Sequence, residues 1–166
     1  MTQIVVIAHD IRSAHNVGSL LRTADGFGAR VYLTGYTPYP QENDDSRLPH
    51  IAQKLTRQIS KTALGAEADH SVWQHDENIE TVLALLKADG YELVALEQSA
   101  DSIELPDYRP SAKVAILIGR EVEGLDPILI KSCHKTIEIP MLGKKESFNV
   151  IEATTVALYH CRFIAA

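Results

Sequence analysis

Apolar residues along this chain fall into short uninterrupted runs separated by stretches with helical spacing. Ile4 to Ala8 is β-branched and continuous rather than alternating, the pattern of a strand buried on both faces. From Asn16 to Phe27 the apolar positions Val17, Leu20, Leu21, Ala24 and Phe27 form one stripe of a helix. Asn16 suits its N-cap and Gly28 its end. Val31 to Leu33 predicts a second strand, so the chain opens β-α-β. Gly35 to Leu48 carries two prolines and the polar run Asn43 to Ser46, and reads as a loop. It is either a solvated connection or a segment that touches a substrate. A polar, basic helix is expected from His50 to Ser60, a strand from His70 to Trp73, and an amphipathic helix from Ile79 to Ala88 that stops at Gly90. Two more strands follow, Glu92 to Leu96 and Lys113 to Ile118, with a turn at Leu105 to Pro110 between them. Asp126 and Pro127 open a short helix, and Thr136 to Ile139 is the last strand.

The final helix, Asn149 to Ile164, is apolar on most of its circumference, with Val150, Ile151, Val156, Leu158, Cys161 and Ile164 spread around it. Such a helix needs cover on more than one side, from the core or from a second subunit. About six strands alternating with helices predict an α/β fold with a mostly parallel sheet covered on both faces. No repeat, low-complexity tract or linker divides residues 1–166, so one domain is expected, without a separate recruiting domain. At this length a chain buries roughly 68–70% of its unfolded surface, enough for a core without staples.

The net charge of −6 argues against a strong sequence-blind hold on nucleic acid, though not against a local basic patch. Lys54, Arg57 and Lys61 are the candidate patch; a plain solvated helix face is the alternative. Cys133 and Cys161 lie far apart without metal-ligand spacing, which fits two buried thiols in a reducing cytoplasm. The start of the chain lacks a basic region before its apolar run, so no signal peptide is expected. No run approaches the roughly 18 apolar residues that span a bilayer. The usual nucleotide signatures fail as well. Gly-x-Gly-x-x-Gly is missing at the first strand-helix turn, and no Lys-Ser/Thr follows Gly124 to complete a P-loop. His9 with His15, and His70 with His75, lack the carboxylate or cysteine that would complete a metal set.

Candidate chemistry sits in the last third. Ile116 to Leu125 and Ile139 to Val150 each begin as a buried strand and break at glycine or proline into a polar loop before a helix. In an open α/β sheet, loops at strand ends are where a ligand sits. The polar residues these loops and the first helix offer are Asn16, Arg22, Glu121, Ser147 and Asn149. Each has a plain structural role open to it: caps for Asn16, Ser147 and Asn149, ion pairs for Arg22 and Glu121. Arg22 lies six residues past Asn16, about 9 Å along a helix axis.

Taken together, these segments resemble a known family. Asn16-Val-Gly-Ser-Leu-Leu-Arg22, closing with Phe27 and Gly28, is similar to the first signature of the SpoU (TrmH-like) branch of the SPOUT RNA methyltransferases. Gly119-Arg-Glu-Val-Glu-Gly-Leu125 is similar to the second, and Ile139-Pro-Met with Ser147-Phe-Asn149 to the third, where Phe148 replaces the usual leucine. The three segments come in the family's order across residues 16–159.

The resemblance implies a C-terminal trefoil knot that holds S-adenosylmethionine, and a homodimer. It places the cofactor against Leu96, Gly119, and the backbone of Ile139, Met141 and Leu142, with Ser147 and Asn149 closing the pocket. The implied reaction is methyl transfer to a ribose 2′-hydroxyl of RNA, with Arg22 as the central catalytic group and Asn16, Glu121, Ser147 and Asn149 in support. The acidic balance and the limited basic surface favour tRNA over rRNA. A non-catalytic cofactor- or RNA-binding protein of the same fold is the rival reading. Methylation of a base nitrogen, as in the TrmD-like branch, fits the motifs poorly.

Overall fold

The computed structural model describes residues 1–165. Seven strands form one all-parallel sheet: β1 (Gln3–His9), β2 (Arg30–Thr34), β3 (Trp73–Asp76), β4 (Glu92–Leu96), β5 (Ile103–Glu104), β6 (Lys113–Ile118) and β7 (Lys135–Glu138). Their spatial order is β3-β2-β1-β6-β4-β7-β5. The helices are α1 (Ala14–Phe27), α2 (Pro49–Ala63), α3 (Ile79–Ala88), α4 (Pro127–Ser132) and α5 (Val150–Tyr159), the last continued by a π turn over His160–Ile164.

Continuous apolar strands serve two faces at once. Ile4, Val6 and Ala8 of β1 pack in a cluster with residues of α1, α2 and α5, while Val5 and Ile7 join α3 and α4 on the other side. Because successive side chains of a strand point to opposite faces, the unbroken run from Ile4 to Ala8 fills both layers. The expected α/β sandwich of helices around a parallel sheet is what forms.

The boundaries differ in instructive places. Ser13, not Asn16, caps α1: its hydroxyl accepts from the Asn16 amide at 3.2 Å, so Asn16 lies inside the first turn. Residues 70–72 are not strand, because Asp69 turns the chain by accepting from the amides of Ser71 and Val72; β3 begins at Trp73. β5 is a two-residue edge strand, too short to leave a periodic trace. Gly35 to Leu48 is loop, as its composition predicts, but an ordered one. Arg47 forks onto Asp45, donates to the carbonyls of Tyr39 and Pro40, and lies 3.4 Å over the Tyr39 ring. Tyr39 in turn stacks on His75. Cys161 is buried and Cys133 half-buried, and both are free thiols. No helix among the described residues is long and apolar enough to cross a membrane.

Arg162 closes the molecule. It is buried without a carboxylate partner among the described residues, and its guanidinium donates to the carbonyls of Phe27, Gly28 and Thr2 at 2.9, 3.0 and 2.5 Å. Two of these acceptors sit at the C-terminus of α1, where the helix dipole favours a cation. Arg162→Ala leaves three inward carbonyls unpaired, so it is expected to cost about 3 kcal/mol. Arg162→Lys is expected to recover part of that loss. Urea denaturation midpoints of the two variants against the parent chain measure both effects.

Candidate functional site

A cavity of about 290 Å³ opens at the C-terminal ends of β4, β6 and β7, three neighbouring strands. This is the crevice where open α/β sheets place ligands. Three loops wall it: Leu96 to Gln98 after β4, Gly119 to Gly124 after β6, and Glu138 to Phe148 after β7, with Val150 and Ala153 of α5 behind. Leu96, Ile139 and Phe148 supply apolar wall, whereas Glu97, Glu121, Glu138 and Glu146 supply carboxylates.

Local chemistry fixes the walls. Gly119 admits no side chain: a Cβ there meets Leu125 Cδ2 at 2.8 Å and the Gly124 backbone at 2.9 Å. The backbone of Gly124 is in the left-handed region (φ +69°), with the Glu97 carboxylate lying directly over it. Glu97 accepts from the Leu125 amide at 2.9 Å and from Gln98 at 3.1 Å, and Gln98 donates to the Glu146 carbonyl at 2.9 Å. The three loops are thus bonded to one another rather than merely adjacent.

Glu121 ties this cavity to α1. Its carboxylate accepts from the amides of Arg12 and Ser13, at 3.2 and 3.1 Å, and from Asn16 Nδ2 at 2.9 Å. Burial pushes the Glu121 pKa up, but these hydrogen bonds outweigh it and hold the group below the usual carboxylate value. Arg12 also pairs with Glu123 at 2.6 Å on the surface.

The sequence-predicted residues divide into groups. Leu96, Gly119, Glu121, Ile139 and Ser147 line the cavity. Asn16 reaches it only through Glu121. Asn149 caps α5, accepting from the Ile151 amide at 2.9 Å through Oδ1. Met141 is half-buried and Leu142 fully exposed, so neither side chain forms the wall. Arg22 stands apart. It lines a separate shallow depression with Phe27, Lys61, Thr62 and Thr155, and takes part in no ion pair among the described residues. Two residues that sequence reasoning passed over, Glu97 and Arg120, are structural parts of the site. Glu97 directly follows β4 and Arg120 lies two residues past β6, and that place at a strand end was the available signal.

A model of the SpoU rRNA Methylase family matches residues 3–159. The chain is 25% identical to the tRNA (guanosine(18)-2'-O)-methyltransferase of Aquifex aeolicus, over 96% of this chain and 68% of that protein. It is 32% identical to the 23S rRNA (guanosine-2'-O-)-methyltransferase RlmB of Acinetobacter baylyi, over 96% of this chain and 60% of the relative. Among solved structures, the SpoU methyltransferase AviRb of Streptomyces viridochromogenes in complex with the cofactor AdoMet superposes with a TM-score of 0.72 at 25% identity, covering 95% of this chain and 58% of that one. The chain therefore spans about three fifths to two thirds of these proteins' lengths.

Glu121 has its pKa lowered in the folded state, so its contribution to stability is full above the ordinary carboxylate value and fades as pH falls through the folded one. Glu121→Gln is expected to lower stability at neutral pH by on the order of 1 kcal/mol. The gap from the parent chain should close in acid. Urea midpoints measured from neutral pH down to pH of about 3 test this.

Proposed function

The chain belongs to the SpoU rRNA methylase family, and we propose that it methylates a ribose 2′-hydroxyl of tRNA with S-adenosylmethionine. The observation that carries this reading is the cavity at the β4, β6 and β7 ends, bonded through Glu121 to the helix that bears Arg22. Its residues suit the cofactor. The bare backbone at Gly119 allows close approach, Leu96, Ile139 and Phe148 offer an apolar slot for a base, and the surrounding carboxylates complement a cation. When bound, S-adenosylmethionine supplies an electrophilic methyl carbon on a positively charged sulfur.

Arg22 cannot serve as a literal base, since a guanidinium keeps its proton at any ordinary pH. It acts as a forked donor that clamps the phosphate beside the target ribose and stabilises the developing alkoxide. A phosphate oxygen of the substrate takes the hydroxyl proton. Glu121, already engaged by three donors, holds Asn16 and the loop in place. Asn149 spends its oxygen on the α5 cap, and its amide, without a hydrogen-bond partner among the described residues, orients the ribose beside Ser147 at the cavity lip.

Arg22 lies outside its own protomer's cavity, and the surface next to it is apolar. Phe163 packs 6.1 Å from Phe27 and 5.4 Å from Tyr159, yet Tyr159 and Phe163 remain 52% and 60% exposed. We read this face as the seat of a second copy, which presents its Arg22 to the partner's cavity. Lys54, Arg57 and Lys61 lie along one side of α2 and end beside Arg22, a basic track suited to a small folded RNA. The C-terminal segment is read as the knotted element the motifs imply, because β6 is inserted between β1 and β4 while α5 returns from β7 to pack on α1.

Transfer of radiolabelled methyl from S-adenosylmethionine to tRNA and rRNA transcripts tests the reading. Label in tRNA alone, located on ribose, is the expected result. Cofactor binding without label in any RNA would favour the non-catalytic alternative. Arg22→Ala is expected to abolish transfer, by a factor of about a hundred or more, and to leave cofactor affinity within about twofold. Gly119→Ala should collapse cofactor binding, measured by calorimetry, and lose transfer with it. Phe163→Asp should yield a monomer in sedimentation and lose transfer with cofactor binding intact.

A further inference from the structure

The three loops around the cavity are not held equally. The loop after β6 is fixed at several points. Glu121 accepts from Arg12, Ser13 and Asn16, the Gly124 amide donates to the Arg120 carbonyl at 3.1 Å, and the Leu125 amide donates to Glu97. The loop after β4 is mounted on the sheet itself. One residue past the strand, the Glu97 amide donates to the Ile137 carbonyl of β7 at 3.0 Å, and the Glu97 carboxylate accepts from the amide of Gln98.

The loop after β7 is the exception. Residues 142–149 are all exposed, with Leu142 bare to solvent. Lys144, Lys145 and Glu146 form no ion pair among the described residues. From Pro140 to Phe148 the described residues make one hydrogen bond, from Gln98 Nε2 to the Glu146 carbonyl at 2.9 Å. Yet Glu146, Ser147 and Phe148 are part of the cavity wall. A segment with few buried groups and a single tie opens readily, whereas the other two walls are anchored to the sheet and to α1.

Gln98 is suited to be that tie. Its backbone is steadied by the Glu97 carboxylate, so the side chain reaches across from a fixed base. Glu146 lies 48 residues further along the chain, so the bond joins two loops that no local structure connects. A neutral amide on a neutral carbonyl at an exposed position contributes little net free energy, because water replaces the bond when it breaks. A bond of that strength holds a segment in place without locking it.

We propose that Gln98 is a positioning residue that latches the Pro140–Phe148 strap over the cavity, and that breaking this bond gates exchange of S-adenosylmethionine for the S-adenosylhomocysteine left after transfer. The inference rests on the methyl-transfer reading. Each turnover leaves spent cofactor between three loops, and its release is faster where one wall moves aside. The strap is the wall with the fewest ties.

Two variants separate a latch from a charge effect. Gln98→Ala removes the side chain. Gln98→Glu keeps its shape, loses the donor and adds a carboxylate to a wall that already holds Glu97, Glu121, Glu138 and Glu146. Both should raise the dissociation rates of S-adenosylmethionine and S-adenosylhomocysteine about fivefold, read by surface plasmon resonance on the immobilised chain. Association rates and urea midpoints should stay as in the parent. Unchanged dissociation would overturn the latch. So would slower loss of the cationic S-adenosylmethionine from Gln98→Glu with S-adenosylhomocysteine, uncharged overall, unmoved, which is the mark of charge alone. In the cofactor-free chain labelled with ¹⁵N, the heteronuclear NOE from Gly143 to Phe148 should fall in Gln98→Ala, while Glu121 to Leu125 keep theirs. Equal values in parent and variant would also overturn the latch. A parent chain that binds neither form of the cofactor sinks the methyl-transfer reading, and the latch with it, before any variant is made.

Discussion

The junction between the first helix and the wall of the cavity depends on one carboxylate, that of Glu121. It accepts two backbone amides ahead of α1 and the side-chain amide of Asn16. Amides at a helix start lack intrahelical partners, so an anion there is favoured by both hydrogen bonding and the helix dipole. Here the anion comes from a loop 105 residues away in sequence from Asn16, and the same bonds that complete the helix start also fix the loop. Glu97 holds that loop from the opposite side through Leu125, and Gly119 lets it press against the Leu125 side chain. The segment so fixed walls the cavity at the ends of β4, β6 and β7, so a shift in the loop alters its shape.

The sheet was largely legible in the sequence, because continuous β-branched runs such as Ile4 to Ala8 and Lys113 to Ile118 have few other solutions. Where local side chains compete with the pattern, the reading slipped. Asp69 diverts the chain into a turn ahead of Trp73, and Ser13 takes the cap that Asn16 was equally able to fill. β5 holds two residues and carries no period at all. These are short-range choices among residues of similar capability, which hydrophobic spacing does not record.

The site was legible as a set of segments and not as a geometry. Spacing along a helix placed Arg22 about 9 Å beyond Asn16, but said nothing of which neighbours its face would meet. The fold turns it toward α2 and α5, beside Lys61 and Thr155, rather than into the cavity of its own chain. Glu97 and Arg120 went unnoticed for a related reason. Their importance comes from what the strand order β1-β6-β4-β7 brings together, and that order is a long-range property. Net charge is likewise an average, over a surface on which α2 keeps the basic side of Lys54, Arg57 and Lys61 that the sequence offers as a candidate patch.

Arg162 has a consequence beyond stability. By bonding the carbonyl of Thr2 from the final turn, it draws the start of the first strand and the end of the last helix to a single point. That point lies next to the exposed aromatic face of the last helix, with Tyr159 and Phe163. For anyone joining a second module to this fold, the neighbourhoods of Thr2 and Arg162 are spatially one attachment point, and the length of the connecting peptide sets how far the module can reach.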